Sequence, residues 1–77
     1  MNFEWDEEKA RANLEKHGVS FEEAQTAFDD PLYVDFYDPK HSYNEHRYII
    51  LGESRQGRLL LVSYTGRGGV TRLISSR

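Results

Sequence analysis

Three arginines occupy positions that read as β-strand. In "HRYIILG", strict alternation puts Arg47 on one face with Ile49 and Leu51. In "VTRLISSR" it puts Arg72 with Val70, Ile74 and Ser76, and Arg77 on the other face. A guanidinium among apolar strand neighbours needs an anion, supplied either by a carboxylate of the protein or by a phosphate of a ligand. Glu45 is the expected protein partner, for Arg47 or for Arg72. The alternative is a phosphate-recognising sheet face with tyrosines nearby. Residue pattern alone leaves both open.

Other chemistry is less well specified. His17, beside Lys16, reads as a helix C-terminal residue that caps carbonyls and complements the dipole. Asp38, His41, Glu45 and His46 gather in one polar stretch, but without a recognised ligand spacing, so no metal site is assigned. No cofactor motif is legible: "GRGG" reads as a hairpin turn rather than a strand-to-helix phosphate loop. No Ser–His–Asp arrangement is visible. With no cysteine in the chain, disulfides and thiolate sites are excluded.

The elements that must position these groups divide into helices, then strands. Asp6 precedes "EEKARANLEKH" as an N-cap, Glu7 and Glu8 suit the positive end of the dipole, and Gly18 supplies a left-handed stop. Ser20 and Glu23 form an S-x-x-E capping box with Val19 and Ala24 as its hydrophobic staple. Phe21, Ala24 and Phe28 share one face, and Asp29 to Pro31 ends the element. "LYVDFY" alternates as a strand. "HRYIILG", "RLLLVSYT" and "VTRLISS" then read as an antiparallel meander joined by turns at "ESRQG" and "GRGG". The expected fold is α+β, in one domain over residues 1–77: two helices packed on a four-stranded antiparallel sheet. Leu59 and Leu61 oppose Leu60 and Val62, so the central strand is apolar on both sides. Two helices cover one side, and the other calls for another chain or a further segment.

Composition sets the scale. A chain of 77 residues makes one small domain, burying only about 60% of its unfolded surface. Its net charge of -3 conceals two unlike halves. Residues 1–30 balance at -6 and residues 31–77 at +3, with five arginines and no acid after Glu53. Either the halves attract each other or the second half meets an anionic partner. No basic, apolar leader is legible, and no apolar run approaches the ~20 residues of a membrane span. The expected location is the cytoplasm.

Taken together, "FEWDEEKARANLEKHGVSFEEAQTAFDDP", "HRYIILGESRQGRLLLVSYT" and "TRLISSR" closely resemble the BrnT family of toxins from type II toxin–antitoxin systems. The family pattern falls on Trp5, Asp6, Lys9, Asn13, Lys16, His17 and Gly18, and on Glu45, Arg47, Gly52, Arg72, Ser75 and Arg77. Ser76 stands where members usually carry alanine. Members also continue past the arginine matching Arg77 into a charged helix, which is absent from this chain. The resemblance implies a RelE-like fold and a ribonuclease that inhibits translation. It also implies a BrnA-like antitoxin partner with a ribbon-helix-helix part, and contact with operator DNA only through that antitoxin.

RNA carries its own nucleophile, the 2′-hydroxyl, so no metal or cofactor is required. On this resemblance Arg72 and Arg77 are expected to clamp phosphate, with Arg47 beside them. Glu45 is the leading candidate base, followed by His46, His41 and Tyr64. Lys40, His46, Arg58 and Tyr64 are expected to bind substrate. The alternative is a non-catalytic RNA- or protein-binding module using the same face.

Overall fold

A computed structural model describes residues 1–77. The elements run β1 (Asn2–Glu4), α1 (Glu7–His17), α2 (Phe21–Thr26), β2 (Val34–Tyr37), β3 (Arg47–Glu53), β4 (Leu59–Arg67) and β5 (Val70–Ser76). Short 3-10 turns at Ala27–Asp29 and Pro39–His41 follow α2 and β2. The sheet has five strands in the order β1-β5-β4-β3-β2, and β1 pairs with β5 in parallel. It is therefore mixed, where four antiparallel strands were expected. The missed strand is only three residues long, too short to alternate visibly, and its partner lies nearly 70 positions away in sequence. The three-stranded meander and its pairing with β2 are antiparallel as expected.

The helices form where their capping signals stand. Gly18 takes φ 71° and its N–H donates to the Leu14 carbonyl, closing α1. Asp6 has the extended backbone of an N-cap but makes no side-chain capping bond. Ser20 accepts from the Glu23 N–H at 3.0 Å, half of the expected capping box. The other half is missing because the Glu23 carboxylate turns away to Ser54 and Arg58.

Phe21, Ala24, Ala27, Ile50, Leu60, Val62 and Leu73 form the core with Val19, between α2 and the sheet. Trp5 meets Phe21 edge-on at 5.9 Å, and Phe28 meets Phe3 and Tyr64 at 5.1 Å each. Gly52 lets the 3-10 turn lie close on β3: a Cβ there would sit 2.7 Å from the Ala27 carbonyl oxygen. Asp30 then fixes the turn into β2 by accepting from the Glu53 and Leu32 N–H groups, bonds that hold its carboxyl below the usual range.

α1 serves a different purpose: it closes a sheet edge. β1 covers only the first half of β5. Beyond it, buried Asn13 stands in for a strand, accepting from the Ser76 N–H at 3.0 Å and donating to the Ser76 carbonyl at 2.8 Å and the Val19 carbonyl at 3.0 Å. With α1 along this edge, the end of the helix reaches round to the sheet face opposite the core.

Candidate functional site

Residue rows across the sheet define that open face. One row reads Val34, Leu51, Leu61, Arg77; the next Phe36, Ile49, Ser63, Ser75; the third Arg47, Thr65, Arg72, Glu4. Simple alternation separates Arg72 from Arg77, but the structure puts them on the same face. A β-bulge is responsible: Ser63 pairs with Ser75 and Tyr64 with Leu73, leaving Ile74 as an extra residue on β5. The same slip moves Ser76 to the core face, where Asn13 holds it.

A concave site of about 280 Å³ opens on this face. Arg47, Ile49, Leu61, Ser63, Ile74, Ser75 and Arg77 line it from the sheet, His17 from the end of α1, and Asp38 and His41 from the loop after β2. That loop is tied down by Ser42, whose hydroxyl donates to the Asp38 carbonyl at 2.6 Å and accepts from the Arg47 N–H at 2.9 Å. The Asp38 N–H donates to the Arg47 carbonyl, continuing the strand pairing. Asp38 Oδ2 lies 2.8 Å from His41 Nδ1, with the Asp38 side chain only 14% exposed. The loop thus adds an oriented imidazole to the wall of the cavity that Arg47 and Arg77 line.

Partner choice separates the seven arginines. Arg55 pairs with Asp29, Arg58 with Glu23, Arg67 with Glu45 and Arg72 with Glu4. Arg11 on α1, Arg47 and Arg77 have no ion-pair partner, and of these three Arg47 and Arg77 line the concave site. The Arg47 Nε is buried without any hydrogen-bond partner, a donor that in a native fold calls for an acceptor. The charge asymmetry is thereby accounted for in two parts. Three of the paired arginines tie the basic half back to the acidic one, while Arg47 and Arg77 stand unpaired in the cavity.

The other expected site residues scatter. Glu45 pairs with Arg67, not with Arg47 or Arg72, because the β4–β5 turn brings Arg67 over the loop. This hydrogen bond holds the Glu45 carboxyl below its usual range, which makes it a weaker base. Arg58 donates to both Glu23 oxygens and to the Gly18 carbonyl, fastening the β3–β4 hairpin to the helices. The Tyr64 phenol donates to Asp35 at 2.6 Å, and burial, then this bond, pushes its pKa up, so the proton stays. His46 lies 3.3 Å from the Tyr37 hydroxyl, and Lys40 sits in the 3-10 turn beside His41. None of Arg58, Tyr64, His46 and Lys40 lines the concave site. Asp38 and His41 pair with each other, while Glu45 and His46 bond to Arg67 and Tyr37, so the four do not gather into one cluster.

Three residues facing the site had no role there in the sequence reading: His17, Ser63 and Ser75. The pattern offered a signal for His17, since Gly18 ends α1 directly after it, but only the packing of α1 along the β5 edge places it in the wall of the cavity that Arg77 also lines. Two shallower grooves continue the site. One, lined by Tyr43, Asn44 and Glu45, shares His41 and Arg47 with it. The other, lined by Lys9, Ala12, Asn13 and Lys16, shares His17, Ile74 and Ser75.

A family model described as "Ribonuclease toxin, BrnT, of type II toxin-antitoxin system" matches residues 5–77. No curated protein matches the chain. Among solved structures, the ribonuclease toxin BrnT of Brucella abortus, determined by crystallography at 1.1 Å, superposes with a TM-score of 0.72 at 24% identity, covering 100% of this chain and 94% of that one. The likeness extends to the whole α+β arrangement.

Proposed function

This chain belongs to the BrnT family of ribonuclease toxins of type II toxin–antitoxin systems, and from that premise we propose that it cleaves RNA on the open sheet face, at the site shared by Arg47 and Arg77. The observation that carries the proposal is the pairing pattern. Four arginines are ion-paired, while the two in the cavity are not, and one of them keeps a buried donor unused. A guanidinium fork matches two phosphate oxygens, and its charge is best placed against the dianionic phosphorane of RNA transesterification. The flanking grooves extend this to a strand path, with Lys9 and Lys16 tracking the backbone at one end and a highly exposed Tyr43 available to stack on a base at the other.

The reaction needs no metal in this reading. The 2′-hydroxyl attacks its own phosphate, the P–O5′ bond breaks, and a 2′,3′-cyclic phosphate and a 5′-hydroxyl result. Arg72 stands in the same cross-strand row as Arg47 but is held by Glu4 at 2.9 Å, so it contributes field rather than direct contact. Translation in the cytoplasm fails as RNA is cut.

A type II toxin is paired with an antitoxin, here a BrnA-like ribbon-helix-helix protein that links the complex to operator DNA. It covers the open face, whose apolar part is otherwise bare: Leu59 is 68% exposed and Val34 55%, with Phe36 beside them. The test is incubation of antitoxin-free protein with end-labelled RNA in EDTA. Cleavage with 2′,3′-cyclic ends is expected. Cutting that appears only with an added divalent ion overturns the metal-free route, and binding without cutting overturns the enzyme.

A further inference from the structure

We infer that His41, oriented by Asp38, takes the 2′-hydroxyl proton, and that His17 gives a proton to the departing 5′-oxygen. The inference rests on the ribonuclease reading and assigns the proton transfers that the arginines cannot perform. A guanidinium does not give up its proton in proteins, so a site of arginines alone stabilises charge without moving protons. Histidine is the side chain suited to both directions near neutral pH.

Both imidazoles line the cavity that holds Arg47 and Arg77, and they arrive from different elements. His17 comes with α1, along the β5 edge, and His41 with the loop after β2. Between them lie Ser63 and Ser75, small side chains that leave room for a phosphodiester. Two proton-transfer groups flanking an anion site are what an in-line displacement requires, because the attacking oxygen enters and the departing oxygen leaves on opposite sides of phosphorus.

The roles follow from the partners. The Asp38 carboxylate at 2.8 Å holds His41 Nδ1 as a hydrogen-bond donor, leaving Nε2 as the free lone pair. A partly buried carboxylate in this position also stabilises the imidazolium that forms when Nε2 accepts a proton. Ser42 and the Asp38–Arg47 backbone bond keep this pair in register with β3. His17 has no carboxylate partner and ends α1 beside Lys16, the placement a helix dipole favours for cations. The step balances. The 2′-oxygen bonds to phosphorus as its proton passes to His41 Nε2, and the P–O5′ bond breaks as the O5′ electron pair takes a proton from His17.

The test compares, for each variant, an RNA oligonucleotide with its normal 5′-oxygen at the mapped scission site and the same oligonucleotide carrying a bridging 5′-sulfur there. A thiolate leaves without protonation, so only the acid becomes dispensable. His17→Gln is expected to lose about 10²–10⁴-fold on the oxygen substrate and to recover most of that loss on sulfur. His41→Gln is expected to lose on both substrates alike, and Asp38→Asn to lose on both by a smaller factor. The oxygen-to-sulfur ratio is taken within one preparation, so a partly unfolded variant does not distort it. Wild-type protein that cuts RNA while both histidine variants cut as fast removes the pair and leaves the ribonuclease reading intact. Equal losses on both substrates for His17→Gln remove its role as the acid. Wild-type protein that never cuts removes both readings together.

Discussion

The two faces of the sheet treat charged groups differently. On the core side every charged or amide group that is buried finds a protein partner: Glu23 with Arg58 and Ser54, and Asn13 with the Ser76 and Val19 backbone. On the open side the buried Arg47 Nε finds none, and the exposed Arg77 has no ion-pair partner. Burying a polar group without a partner costs free energy, so the core face shows how this chain satisfies such groups when folding is the only demand. Two buried polar atoms escape that practice, the Ser76 hydroxyl on the core side and Arg47 Nε on the open side, and only the second belongs to a charged side chain that lines the cavity. Counting arginines in the sequence does not separate the two classes; their partners and their places on the fold together do.

The largest effect expected from breaking this contrast is on the open face. Arg47→Ala and Arg77→Ala are each predicted to remove about 2–4 kcal/mol of transition-state stabilisation, as the loss of an oxyanion donor does, read as kcat/KM on RNA. Melting temperatures of both variants should stay near wild type, since neither guanidinium holds a protein carboxylate. Lysine at either position should rescue only in part, because the planar fork is lost.

The core face should answer with stability instead. Asn13→Ala leaves two carbonyls and one N–H unpaired in a buried place, and is expected to cost about 1–3 kcal/mol, seen as a lower Tm in thermal melts. Acid gives a second reading of the same face. The hydrogen bond from Arg58 holds the Glu23 carboxyl below its usual range, against the opposing effect of burial. The stability this pair supplies is complete above the ordinary glutamate value of about 4.3 and is lost as pH falls through the lower folded value. Glu23→Gln should therefore flatten the acid limb of a Tm-versus-pH curve and leave the neutral limb parallel. A variant curve with an unchanged acid limb would show that another carboxylate governs it.

Smaller still is the expected effect of Arg72→Ala. Its pair with Glu4 is partly exposed, and such pairs contribute roughly 0–1 kcal/mol to stability. Its loss should slow cleavage far less than the loss of Arg77. If Arg72→Ala proves as damaging as Arg77→Ala, pairing does not sort these arginines.

Much of the scaffold was legible because its signals are local. Gly18, the Ser20 cap, the alternation in "HRYIILG" and the turn glycines all act within a few residues of where they stand. What escaped depends on contacts remote in sequence. β1 is three residues long and gains its strand character only from β5. The bulge at Ile74 carries no glycine or proline to announce it, yet it decides which face Arg72, Ser76 and Arg77 occupy. Glu45 chose Arg67 over Arg47 because of where a distant hairpin folds. His17 could be read as a helix cap from sequence, but it joins Arg77 in lining one cavity only once Asn13 has docked α1 on the sheet edge.

The central claim is that Arg47 and Arg77 hold a phosphate while the ion-paired arginines do not, and salt dependence of binding reads that directly. RNA methylated at the 2′-oxygen binds without being cut, so its affinity can be measured across ionic strength for each variant. Each phosphate contact on a single strand contributes a slope of about 0.7 in log K against log salt. Arg47→Ala and Arg77→Ala should each lower the slope by about that amount, and Arg72→Ala should leave it unchanged. Unchanged slopes for Arg47→Ala and Arg77→Ala, with a loss at Arg72→Ala, would contradict the account.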